Sequence, residues 1–151
     1  MEVRAFAADC VLRARYRAQG ALRRTGLTAE AERLVQATEL GEVEAAAAAA
    51  NEATTDPDAA ELAGFVADAV ALATGRRPDA WRTSAGGKPA IAQTPAATAA
   101  NVAFVAAHVA GREAATAHPD DPHSYQAAFN AERATQIEWL TSARVIDASV
   151  L

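Results

Sequence analysis

Glu132 and Gln136 lie one helical turn apart in the stretch YQAAFNAERATQIEWL, which runs from Tyr125 to Leu140. At about 100° per residue, a helix over this stretch places Tyr125, Phe129, Glu132, Gln136, Leu140 and Ala143 along one line, flanked by Trp139. A carboxylate and an amide therefore share the apolar stripe. An ionised carboxylate is costly to bury alone, so Glu132 requires a partner. The preceding helical stretch offers candidates. Asn101, His108 and Arg112, spaced seven and four residues apart, fall along the edge of the stripe Val102, Val105 and Val109. Consecutive helices joined by a short loop pack antiparallel, which predicts Glu132 against Arg112 or His108 and Gln136 largely buried. Two uses of these residues stand side by side. One is a structural network: a bidentate Arg112–Glu132 pair, Gln136 on a backbone group, and Asn101 capping a neighbouring loop. The other is a small polar pocket for a ligand or partner, with His108 as acid or base.

Other residues with reactive chemistry carry weaker patterns. His118 and His123 bracket HPDDPH, and with Asp120 and Asp121 they are metal-ligand types. Their spacing matches no metal motif, and Pro119 and Pro122 account for a turn, so no metal is expected. Cys10 falls on an apolar helical face, where a lone thiol behaves as a small hydrophobe. Gly86-Gly87-Lys88 lacks the first glycine, the spacing and the hydroxyl residue of a phosphate loop. No nucleophile–base pattern assigns a catalytic residue, and no cofactor motif is present.

The elements that must position these residues are helices. Of 151 residues, 51% are hydrophobic but only 5% aromatic, and much of the apolar content is alanine, the strongest helix former. The length suits a single domain. A first helix is predicted from about Glu2 to Arg24, with Val3, Phe6, Ala7, Cys10, Val11, Ala14, Ala18 and Ala21 on one face. Its arginines mostly lie off that face and are expected to pair with glutamates of neighbouring helices. Gly26 marks a break. Thr28 is positioned to cap a second helix, stopped by Gly41, and a third alanine-rich segment runs from Glu42 to about Ala53. Asp56-Pro57, Thr94-Pro95 and Asp121-Pro122 each read as a cap followed by proline at the first helical position. They open helices ending near Gly75, His118 and Asp147. Between about residues 76 and 93 the periodicity fails. A long loop is predicted there, pinned by Trp81. The predicted fold is all-α: a single-domain bundle of five to six helices with one long loop.

The formal charge of −5 argues against a nucleic-acid partner. A single cysteine rules out an internal disulfide. No apolar run of the length of a membrane span occurs, and the acidic first residues do not form a signal peptide. These features predict a soluble, cytoplasmic protein.

Three segments, RAFAADCVLRA, AHVAGREAATAH and AERATQIEWL, together resemble bacterial immunity proteins of the Imm-5-like type. Cys10, His108, Glu132, Arg133 and Gln136 are the matched positions. Thr135 stands where that pattern has an aromatic residue. The resemblance implies a small helical protein that neutralises a cognate toxin, and no catalytic residue follows from it. Such a binder would present an acidic patch, with Glu39, Glu42, Glu44, Glu52, Asp56 and Asp58 as candidates. The alternative is a small helical enzyme or ligand-binding protein of a specialised metabolic pathway, using a polar pocket between the last two helices. A homo-oligomer would add buried area to so alanine-rich a core.

Overall fold

The computed structural model describes residues 2–76 and 94–150, with side chains for residues 3–76 and 94–142. The connection predicted over about 76–93, with Trp81, falls almost wholly outside the described residues. Among the described residues there are six helices: α1 (Glu2–Arg24), α2 (Thr28–Gln36), α3 (Leu40–Ala53), α4 (Pro57–Ala73), α5 (Pro95–Ala117) and α6 (Ser124–Val150). Among the described residues there is no strand. The protein is a single all-α domain, as the sequence predicts.

The helix ends follow local chemistry. Gly26 and Gly75 adopt φ of 85° and 77°, a region that a side chain disfavours. Each terminates its helix in the same pattern. Leu27 N–H donates to the Leu22 carbonyl at 2.9 Å and Gly26 N–H to Arg23 at 3.1 Å. Arg76 N–H donates to Ala71 at 2.8 Å and Gly75 N–H to Leu72 at 3.0 Å. Asp56 and Thr94 accept from the backbone N–H of Ala59 and Ala97, with proline at the next position, as predicted.

Three predicted boundaries differ. Thr28 is the first helical residue of α2, and Leu27 occupies the cap position without a side-chain bond. Gly41 lies inside α3, because α2 ends earlier and a Glu39/Glu42 capping box starts the next helix at Leu40. The Glu42 carboxylate accepts the backbone N–H of Thr38 and Glu39, and these donors hold it below its ordinary titration range. Asp121-Pro122 forms a turn, not a cap. The Asp121 carboxylate accepts from His123 N–H at 2.9 Å, its carbonyl accepts the Ser124 hydroxyl, and α6 begins at Ser124.

The centre of the bundle is α5, which packs on α1, α4 and α6; α1 also packs on α2 and α4, and α3 on α4. More than half of the buried apolar residues described are alanines, so helices approach closely and each contact removes little area from water. Phe6, Ala7, Cys10, Val11, Ala14, Ala18 and Ala21 are buried as predicted, whereas Val3 remains 37% exposed. Arg15 is also buried, and its guanidinium donates to the Ala37 carbonyl at the α2–α3 corner.

Candidate functional site

Glu132 and Gln136 are buried together on α6, 3% and 2% exposed. Their partners come from both neighbouring helices. Arg13 of α1 donates through Nε to Glu132 Oε1 at 2.9 Å and also meets Asp9 one turn back. Gln136 Nε2 donates to the Ala103 carbonyl of α5 at 2.9 Å and to Glu132 Oε1 at 3.1 Å. Its Oε1 accepts from Arg133 Nη1 at 2.9 Å. The burial of Gln136 and its backbone bond follow the sequence reading. The partner of Glu132 does not: it is Arg13, not Arg112 or His108.

The register of α5 against α6 explains this. Tyr125 is the residue that reaches His108 and Gly111. Glu132 lies seven residues beyond Tyr125, about 10 Å further along the axis at about 1.5 Å per residue. Arg112 instead faces α4, where it donates to Asp58 at 3.2 Å and meets Glu61 at 3.4 Å. The arginines of α1 do pair with distant glutamates, as expected, through Arg13–Glu132 and Arg24–Glu113.

His108 belongs to a separate aromatic cluster. Its ring stands edge-on to Phe65 at 4.9 Å, and its Nδ1 shares a 2.7 Å hydrogen bond with the Tyr125 hydroxyl. Phe104 and Phe129 extend the cluster toward solvent, Phe104 being 53% exposed. Burial lowers the His108 pKa and raises that of Tyr125, so both are neutral near pH 7. Asn101 is half-buried on α5 and joins neither network. His118 and His123 are exposed at the two ends of their turn, and among the described residues no three His, Cys, Asp or Glu side chains converge. The five residues therefore do not form one site: Glu132 and Gln136 share a network, His108 lies in the aromatic cluster, Arg112 pairs with α4, and Asn101 stands apart.

Cys10 is fully buried beneath the Glu132 network, with Arg13 Nη2 at 3.7 Å from its sulfur. Burial, reinforced by the Glu132 charge, pushes its thiol from an ordinary 9.0 up to about 12. The protonated thiol is the form favoured by the fold, so this contribution to stability is full below pH 9 and is lost as pH rises from 9 toward about 12. At pH 8 the thiol is expected to resist an aromatic disulfide reagent in the native protein. It should react fully once urea unfolds the chain, as followed by absorbance. Prompt native labelling would contradict the burial.

Beside this network lies a groove of about 400 Å³ between the start of α1, the first half of α5 and the later part of α6. Phe6 and Trp139, with ring centroids 5.4 Å apart, form one wall. Ala96, Ala99, Ala100 and Ala103 form another, and Ile137 and Leu140 form the rim. Gln136 and Arg133 supply its polar end. Sequence reasoning found Gln136 but missed the groove, because it forms where the small side chains of α5 leave space between the larger ones of α1 and α6. A second groove of about 520 Å³ touches Gly75 and Thr94, next to the limits of the described chain. Among the described residues no helix is long and apolar enough to cross a membrane. No protein-family model matches this chain, and no curated protein or solved structure matches it either.

Proposed function

We propose that this chain is a ligand-binding protein whose site is the groove between α1, α5 and α6. The observation that carries this reading is the pairing of apolar walls with one polar end. Its volume falls within the range of small-molecule sites, roughly 300–1,000 Å³. The polar end is held in place: Gln136 is bonded on both sides of its amide, and Glu132 beneath it is anchored by Arg13. No activated nucleophile or acid–base pair lines the groove among the described residues, so binding is the activity that the arrangement supports.

A thermal-shift screen against drug-sized apolar molecules tests it. A binder at 100 times its Kd stabilises by about 2.7 kcal/mol. Ala100 is exposed and lines the groove, so Ala100→Phe would fill the space and is expected to abolish the shift. Shifts that persist in Ala100→Phe would place the ligand elsewhere, and a panel without any binder would count against the reading.

A second reading is a protein binder of the immunity type. Of its acidic candidates, Glu39, Glu42, Glu52 and Asp58 are exposed, but several are already engaged within the chain. Glu42 and Asp56 serve as caps, Glu44 pairs with Arg76, and Asp58 pairs with Arg112. What favours it is the apolar rim: Ile137 is 61% exposed, Leu140 40% and Val3 37%. A partner protein that binds the parent but not Ile137→Glu would support this reading; equal binding to both would remove it.

A further inference from the structure

The charges beneath the groove alternate in sign and end on a cation. Asp9 meets Arg13, Arg13 meets Glu132, and Gln136 bridges Glu132 to Arg133. The orientation of the Gln136 amide is set by its partners. Its Nε2 has two acceptors, the Ala103 carbonyl and Glu132, so its Oε1 is left to receive Arg133. Arg13, Arg24, Arg76 and Arg112 each have a carboxylate partner. Arg133 has none among the described residues, and its one hydrogen bond there goes to a neutral amide. It is also the one charged side chain among the described residues lining the groove. A guanidinium stays ionised at any accessible pH and presents a planar fork of donors that matches a carboxylate.

We infer that the groove, if the ligand-binding reading holds, selects amphipathic monocarboxylates. The apolar body lies against Phe6, Trp139 and the alanine wall, and the carboxylate completes the alternation at Arg133. A single cation suits a single negative charge. A dianion such as a phosphate ester would call for a second cation, and an ammonium would meet repulsion.

Trp139 lies in the groove wall and reports occupancy by its fluorescence. A Trp81→Phe background leaves it as the remaining one of the chain's two tryptophans. The probes are 4-phenylbutanoate, 4-phenylbutanol and 4-phenylbutylammonium, which share one apolar body. The carboxylate is expected to bind at least tenfold more tightly than the alcohol, and the ammonium more weakly than either. Calorimetry on the parent chain should give the same order. Arg133→Gln should reduce carboxylate affinity to the level of the alcohol and change alcohol affinity far less, with the helical circular dichroism intact. Carboxylate and alcohol binding equally, or a preference that survives in Arg133→Gln, would overturn the charge selection and leave the groove reading standing. Failure of all three probes to bind would overturn both.

Discussion

Glu132→Ala is expected to lower the stability of the protein by about 2–4 kcal/mol, read as a drop in urea midpoint at unchanged slope. The carboxylate is 3% exposed, and its loss leaves two groups short of an acceptor. Arg13 loses its interhelical partner and keeps only Asp9 and the Cys10 sulfur of its own helix. Gln136 Nε2 keeps only the Ala103 carbonyl. Breaking a buried pair from one side typically costs about 3–5 kcal/mol. The expected loss is smaller for Glu132 because the Arg13 side chain is 24% exposed and Asp9 still screens it. Glu132→Gln is expected to cost less, since it keeps an oxygen to accept from Arg13. The thiol supplies a second readout. Glu132 is one of the causes that raise the Cys10 pKa, so Glu132→Ala should lower it and speed alkylation near pH 9 relative to the parent. A Glu132→Ala protein with parental stability would mean that the pair contributes nothing net.

Gly111→Ala is expected to destabilise by about 1–2 kcal/mol, although alanine is the better helix former by about 1 kcal/mol. A Cβ at Gly111 would stand 2.6 Å from two ring carbons of Tyr125. The ring cannot swing away freely. It is tied to His108 by the 2.7 Å hydrogen bond and packs against Phe129. The glycine is therefore the seat on which α6 rests at its first turn. A double-mutant cycle decides the cause. In a Tyr125→Ala background, Gly111→Ala should become neutral or stabilising, because only the propensity gain remains. If Gly111→Ala is equally harmful with and without Tyr125, the ring is not the reason.

The helices were legible because their signals are local. The stripe of α1, the glycines 26 and 75, and the Asp56-Pro57 and Thr94-Pro95 starts each depend on residues within a turn or two. Where a local rule failed, another local device had won: the Glu39/Glu42 box ran the chain through Gly41, and the side-chain turn at Asp121 delayed α6 to Ser124. The site was only half legible. That Glu132 and Gln136 are buried together follows from one helix's periodicity. Which charge faces them depends on the crossing of three helices, and no spacing within α5 or α6 encodes the approach of Arg13 from α1. The groove is less legible still, since it arises from space left by alanines on a helix far from Phe6 in sequence.

The packing of α1 against helices that come late in the chain bears on how the chain is made. Its ion pairs reach Glu113, 89 residues away, and Glu132, 119 residues away. At roughly 5–20 residues per second, a ribosome needs roughly 5–20 s to reach Glu113 after α1 has emerged. The α3–α4 pair, adjacent in the chain, can assemble in that interval and α1 can meet α2 and α4, but the part of its face that α5 covers stays open. Because that face is built largely of alanines, it offers a nascent chain little to aggregate through before α5 arrives to cover it.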